Sequence, residues 1–225
     1  MNRTEAPFIP AKESRWFIRL FDIYVRNLFW RHFRHVWIQL EYTPQPGDKT
    51  IYYLNHTSWW DGLIPFLLNQ KVFRQNARAM MEDKQMRKYK FFKRIGAFSV
   101  NLDDSRDIIT SLRYAVKSLE SENSSLFIYP EGEIMPFSTQ KPEFKKGLAW
   151  INSKTNDVIL VPIGIYIHTA KTNKPELFIK VGAPVQSDRT NDLRVVQSTL
   201  ENALHDLLLK LKTDAHHNIQ SFKKL

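Results

Sequence analysis

Short apolar or β-branched runs alternate with helically periodic stretches through most of the chain. The runs at 51–54, 78–81, 98–102, 126–129, 158–165 and 177–181 have the length and residue types of buried strands. Between them, 82–95, 105–122, 143–154 and 191–211 repeat apolar residues three and four apart. Asp104 and Ser105 stand as caps before Ile108, Leu112, Ala115 and Leu119. The last helix carries Val195, Leu200, Leu204, Leu207, Leu208 and Leu211 on one side and is followed by a basic tail ending at Lys223 and Lys224. Strands alternating with crossover helices predict a single α/β domain, its largely parallel central sheet flanked by helices. Sites in such sheets gather at the C-terminal ends of the strands.

The turn cluster Thr43-Pro-Gln-Pro-Gly-Asp48 separates this alternation from what precedes it, giving an expected N-terminal segment at 1–42 and a domain at 43–225. Residues 1–13, with Pro7 and Pro10, read as a loose lead-in. From 14 to 40, Arg15, Arg19, Arg26, Arg31 and Arg34 interrupt an aromatic series of Trp16, Phe17, Phe21, Tyr24, Phe29, Trp30, Phe33 and Trp37. A membrane span is excluded, because each arginine near mid-bilayer opposes insertion by about 2.5–3.5 kcal/mol. The pattern suits an amphipathic helix in the headgroup plane, with aromatics toward lipid and arginines toward phosphates. The alternative is an aromatic face packed on the domain, and one helix can do both.

Composition sharpens this picture. A chain of 225 residues with 43% hydrophobic content buries a full core, and its net charge of +10 calls for an anionic partner. No zinc-ligand spacing, P-loop or RNA-recognition motif supports nucleic acid, and the basic residues concentrate among the N-terminal aromatics, so an anionic membrane surface is the expected partner. There is no cysteine and no signal-peptide pattern. The expectation is a peripheral protein on the cytoplasmic face of a membrane.

Chemistry concentrates after the first strand of the alternation, in Asn55-His-Thr-Ser-Trp-Trp-Asp61. Five positions on a regular helix turn about 140°, so His56 and Asp61 meet only if the histidine leaves the strand and the aspartate opens the next helix. A carboxylate-held imidazole at a strand end has the makings of a general base. No third ligand stands nearby to make a metal site. Farther on, the run 126–129 ends in Pro130-Glu131-Gly132-Glu133, Phe144-Lys145-Lys146-Gly147 opens a helix, and Val161-Pro162-Ile163-Gly164 closes a later strand. Each alone reads as an ordinary turn or edge.

In this order the segments resemble the glycerolipid acyltransferase family, the lysophospholipid acyltransferases related to 1-acylglycerol-3-phosphate acyltransferase. The 55–61 segment is similar to the family's His-x4-Asp block, Gly96-Ala-Phe-Ser-Val100 to its second, Tyr129-Pro-Glu-Gly132 to its third and Val161-Pro162 to its fourth. The resemblance implies acyl transfer from an acyl-CoA or acyl carrier protein to a hydroxyl of a lipid acceptor, with no resident cofactor. His56 would be the general base and Asp61 its orienter. Asn55, Gly96, Glu131 and Gly132 are the implied substrate-site residues.

Two positions depart from the family. Leu102 and Ile134 stand where phosphate-binding members carry arginine, and Asp103, Asp104 and Glu133 add carboxylates nearby. Arg106, Lys145 and Lys146 are the cations left to replace those arginines, and an uncharged acceptor such as a glycolipid or glycosylated carotenoid becomes as plausible as a phosphate. Competing readings are a hydrolase using the same pair on water or through Ser58, against which the chain lacks a Gly-x-Ser-x-Gly elbow, and a non-catalytic lipid-binding protein. Met80, Met81, Phe91, Phe92 and Phe98 are candidates for an acyl pocket, or simply core.

Overall fold

The computed structural model describes residues 8–169, 173–186 and 192–225. Eight strands form one sheet in the order β4-β3-β5-β2-β6-β7-β1-β8. They are β1 (Val36–Leu40), β2 (Lys49–Leu54), β3 (Asn76–Glu82), β4 (Ala97–Val100), β5 (Ser124–Ile128), β6 (Val158–His168), β7 (Glu176–Val181) and β8 (Lys223–Lys224). The central strands β4, β3, β5, β2 and β6 run parallel, β7 turns antiparallel to β6, and β1 runs parallel to β7. The expected largely parallel α/β sheet is present.

Strand residues alternate between two cores, one on each face. Tyr52, Leu54, Ile163, Leu177 and Ile179 pack with α1 (Arg15–His32) and α2 (Ile64–Leu68). Ile51, Tyr53, Leu160 and Phe178 pack with α4 (Ser105–Ser118), α5 (Gly147–Lys154) and α6 (Leu193–His217). The period-2 alternation of a strand buried on both faces produces this division. A short helix, α3 (Asp83–Lys88), lies between β3 and β4.

The structure corrects several boundaries. The amphipathic segment is helical only to His32; Phe33 is extended, and Val36–Leu40 pair along their length with Leu177–Val181. The boundary at 42 therefore cuts through a continuous sheet. Pairing begins where Arg34 donates to the Pro175 carbonyl and Leu177 to that of His35. The basic tail is β8, antiparallel to Trp37 and Ile38, with Phe222 buried and Lys224 over the Trp37 ring. The helix expected at 82–95 breaks after α3 and resumes as a 3-10 turn at Phe92–Ile95, ended by Gly96 at φ +100°. The helix expected at 143–154 starts at Gly147, because Lys145 donates its amide to the Pro130 carbonyl and holds the lead-in off the helix. The last helix runs six residues past its expected end, to His217, and Asn191, its expected first residue, lies outside the described residues.

α1 is stitched to the domain by its aromatic face. Phe21 stacks on Phe17 and meets Phe66 and Phe91 edge-on or tilted, while Phe29 and Phe33 pack on Trp60 at 5.4 and 5.0 Å between ring centres. Phe29 is 3% exposed, so Phe29→Ala opens a cavity and should lower unfolding free energy by about 3–5 kcal/mol, read from the urea midpoint at unchanged slope.

Candidate active site

β2 ends at Leu54, and the chain leaves it through Asn55 and His56 into a 3-10 turn at Trp59–Gly62 that feeds α2. This geometry brings His56 and Asp61 together: His56 Nδ1 lies 2.9 Å from Asp61 Oδ2. The carboxylate is fully buried and organises the turn around itself. Its Oδ2 also accepts the amides of Thr57 and Ser58, and its Oδ1 accepts the Ser58 hydroxyl at 2.9 Å. Ser58 and Asp61 thus form a reciprocal capping box at the helix entry. With Nδ1 donating to the carboxylate, Nε2 is the ring nitrogen left to accept a proton.

A second strand end supports the pair from beside it. β5 lies next to β2, and Tyr129, one residue past its end, sets its ring 4.4 Å from the His56 ring. Its hydroxyl donates to the Asp61 carbonyl at 2.6 Å. Burial and the nearby Asp61 charge hold this phenol well above its ordinary range, so it stays a donor. In the sequence Tyr129 is the end of the run 126–129 and the start of the third block. A Tyr-Pro-Glu-Gly sequence gives no sign that the hydroxyl reaches 68 residues back.

Glu131 and Gly132 follow in a turn closed by the Gly132 amide on the Tyr129 carbonyl. Burial pushes the Glu131 carboxyl up to about 7; His56 pulls it down, and Glu133 and Asp61 raise it further. Gly132 has φ +76°, and a Cβ there would stand 2.7–2.9 Å from the Lys145 side chain, which lies across this glycine. Met135 donates its amide to the His56 carbonyl at 2.8 Å, so the loop after Gly132 folds back over the histidine. His56, Asp61, Glu131, Gly132 and Lys145 are therefore gathered into one place, with Lys146 next in the chain and exposed.

Other expected site residues are placed elsewhere or otherwise employed. Asn55 is buried, and both its side-chain groups bind the Ile165 backbone, donating at 2.9 Å and accepting at 2.7 Å. It extends the β2–β6 ladder by one side chain and has no face for a substrate. Gly96 serves packing: a Cβ would sit 2.5 Å from the Ala77 carbonyl of β3. Arg106 opens α4 beyond β4, three strands from β2, which at about 4.8 Å per strand is roughly 14 Å across the sheet. Asp103 is paired with Lys84 at 3.1 Å, and Asp104 caps α4, so neither carboxylate projects unpaired toward a substrate.

A cavity of about 370 Å³ adjoins the turn through Gly62. Phe66, Ala77, Ala79, Met81 and Phe92 form apolar wall, and the Glu13–Arg78 ion pair (2.9 Å) lies at its polar part. His56 does not line it, so it neighbours the reaction centre without containing it. Met81 and Phe92 thus line a cavity as the pocket reading expects, whereas Met80 and Phe98 belong to the core on the opposite face.

Glu131 yields a pH prediction. Its folded carboxyl is raised from 4.5 to about 7, so the fold binds its proton more tightly than the unfolded chain, and this contribution to stability is lost as pH rises through that window. Glu131→Gln should be more stable than the wild type above pH 7 and equal to it below about 4.5. It should also remove one ionisation near neutrality from the pH–rate profile, and both effects are read from thermal melts and initial rates across pH.

Comparison with known proteins bears on the family and the fold. A family model described as acyltransferase matches residues 32–166, a span holding His56, Asp61, Tyr129, Glu131, Gly132 and Lys145. No curated protein matches the sequence. Among solved structures, the fold is similar to that of the 1-acyl-sn-glycerophosphate (LPA) acyltransferase PlsC from Thermotoga maritima. The TM-score is 0.59 at 18% identity, over 87% of this chain and 80% of that one. Because the family model covers more than half of the sequence, the chain belongs to the acyltransferase family.

Proposed function

We propose that the protein transfers a fatty acyl group from an acyl thioester, acyl-CoA or acyl carrier protein, to a hydroxyl of a membrane-lipid acceptor, with His56 as general base. The observation that carries this reading is the His56–Asp61 contact at 2.9 Å, in which every hydrogen bond to the carboxylate comes from within its own turn. The acceptor oxygen attacks the thioester carbonyl as its proton passes to His56 Nε2. The carbon–sulfur bond then breaks, and the departing thiolate takes that proton from the imidazolium. Proton transfer of this kind typically contributes about 10²–10⁴ in rate. Asp61 fixes the tautomer and stabilises the charged ring, the orienter's part in a triad with no serine nucleophile. Ser58 has its hydroxyl engaged with Asp61, which disfavours a serine-hydrolase route. The apolar wall of the cavity beside Gly62 suits the donor's acyl chain.

The acceptor headgroup is uncharged in this reading. Leu102 and Ile134 are both exposed where family members that bind phosphate carry arginine, and neither can form a charge-assisted contact. A second reading, a phosphate held by Lys145, is favoured by that side chain's position across Gly132. The exposed arginines of α1, with Trp16 and Trp30 exposed among them, support peripheral binding to an anionic leaflet, and the cytoplasmic face is the proposed location.

His56→Ala should lower turnover by about 10²–10⁴ with the fold retained. Asp61→Asn should lose less, because its remaining oxygen can still accept the His56 and backbone donors while the charge is gone. Initial acyl-transfer rates with purified variants check both, and a near-normal His56→Ala removes the general-base role. Offering a neutral glycolipid and lysophosphatidic acid together with one acyl-CoA should yield mainly acylated glycolipid by mass spectrometry. A preference for lysophosphatidic acid that Lys145→Ala abolishes would establish the second reading instead.

A further inference from the structure

We infer that the acceptor's headgroup is a sugar, and that Phe137, Tyr166 and His168, gathered at the far end of β6, form the subsite that holds it. This deepens the uncharged-acceptor reading above and rests on it. The register of β6 with β2 ends at Leu54↔Ile163, and β6 then runs on through Gly164 for five residues to His168. Asn55, immediately before His56, clasps Ile165, immediately before Tyr166, so the extension begins beside the turn that holds the imidazole. Tyr166 and His168, two apart, project from the same side of the strand, and the last turn of α6 meets them there through His216. The Tyr166 hydroxyl lies 3.1 Å from His168 Nδ1 and 3.1 Å from His216 Nε2. Tyr166 and His168 are half-buried and His216 is exposed.

This bonding sets what the cluster can recognise. A phenol has one proton, so the Tyr166 hydroxyl donates to one imidazole and accepts an N–H from the other. Reversing that chain turns His168 Nε2, the ring nitrogen not directed at Tyr166, from donor into acceptor. A sugar hydroxyl is both donor and acceptor and is met in either state. Phe137, half-buried, packs on the Tyr166 ring at 4.7 Å between centres and sets an apolar ring beside these polar tips. Aromatic faces edged by donors and acceptors match the two aspects of a pyranose, its C–H face and its hydroxyl rim. Glu176 stands opposite His168 in the β6–β7 ladder, and its carboxylate, held by Trp37 and His35, adds no attraction for a phosphate.

The loop after Gly132 joins this cluster to the reaction centre. Met135 donates its amide to the His56 carbonyl, and Phe137, two residues on and at most about 7 Å along the chain, reaches Tyr166. A headgroup lying along that loop places one hydroxyl at His56 and rests its remainder on Phe137, Tyr166 and His168. With the ring contacts added, the span is longer than one pyranose, which fits a headgroup of two sugars.

The test offers the full-length protein octyl maltoside and 1-octanol, which share a chain and differ by the sugar, both below micelle concentration and with one acyl-CoA. Lysophosphatidic acid is the third acceptor. The wild type should show the higher kcat/KM for octyl maltoside. Tyr166→Phe, which keeps the ring, and His168→Ala should each lower the maltoside-to-octanol ratio about fivefold to tenfold, as the loss of one hydrogen bond does. Independently of turnover, saturation-transfer NMR with methyl maltoside should show a contact that the Tyr166→Phe/His168→Ala double variant loses, with circular dichroism confirming its fold. A wild-type ratio of one or less, equal losses on both octyl acceptors, or an unchanged sugar contact in the double variant overturns the subsite and leaves the uncharged acceptor standing. A preference for lysophosphatidic acid over both that Lys145→Ala abolishes overturns the subsite and the uncharged acceptor together. Failure to acylate any of the three overturns both as well.

Discussion

The buried Asp61 carboxylate is the constraint on which the site depends. A charge placed wholly out of water must be met by donors, and here each of them comes from the five residues before it: the His56 ring, two backbone amides and the Ser58 hydroxyl. Satisfying the carboxylate therefore folds the turn, and folding the turn orients the imidazole. Structure and chemistry cannot be separated at this residue. The sheet fixes where the turn begins, since the β2–β6 register runs to Leu54↔Ile163 and Asn55 prolongs it by clasping Ile165. Tyr129 fixes the other side from the end of β5. Two neighbouring strands thus hold the imidazole from two directions, which is the general advantage of strand ends as places for sites.

The parts of this arrangement that are local in sequence were legible there. His56 and Asp61 were expected to meet across a strand-to-helix turn, and they do so because the carboxylate's donors are all within reach of a short segment. Contacts made at long range left no trace. The resemblance makes Asn55 a substrate-site residue, yet its partner is 110 residues away. The resemblance makes Gly96 a substrate-site residue, but the group that approaches it is the Ala77 carbonyl of the neighbouring strand. Asp103 and Asp104 read as charge near a substrate, while the fold engages one with Lys84 and the other as a cap. In each case the residue type was interpreted correctly as polar or permissive, and the partner was supplied by tertiary structure.

The same limit explains the N-terminal segment. Its aromatic and arginine pattern gave the helix, but Val36–Leu40 alternate like a strand only once β7 is there to pair with them. A tail of two lysines carries no apolar signal at all, and β8 exists because Trp37 and Ile38 offer an open edge beside a buried Phe222. The two readings of the segment, packing on the domain and facing a membrane, prove compatible because α1 is wide enough to carry an apolar face on each side. The aromatic density that made the sequence ambiguous belongs to both faces at once.

Trp60 ties these observations together. It belongs to the turn that carries His56 and Asp61, immediately before Asp61, and its ring is clasped by Phe29, His32 and Phe33 at the end of α1. The helix whose outer side is proposed to meet lipid is therefore in direct contact with the turn that orients the His56 imidazole. A loosely tethered anchor would deliver the enzyme to a membrane without controlling how the site faces it. A helix that is at once a wall of the core and a neighbour of the His56 turn would fix that orientation within the fold, through aromatic contacts that do not weaken as salt screens the surrounding arginines. Charge would then govern how strongly the protein meets the leaflet, and packing would govern where the imidazole stands when it does.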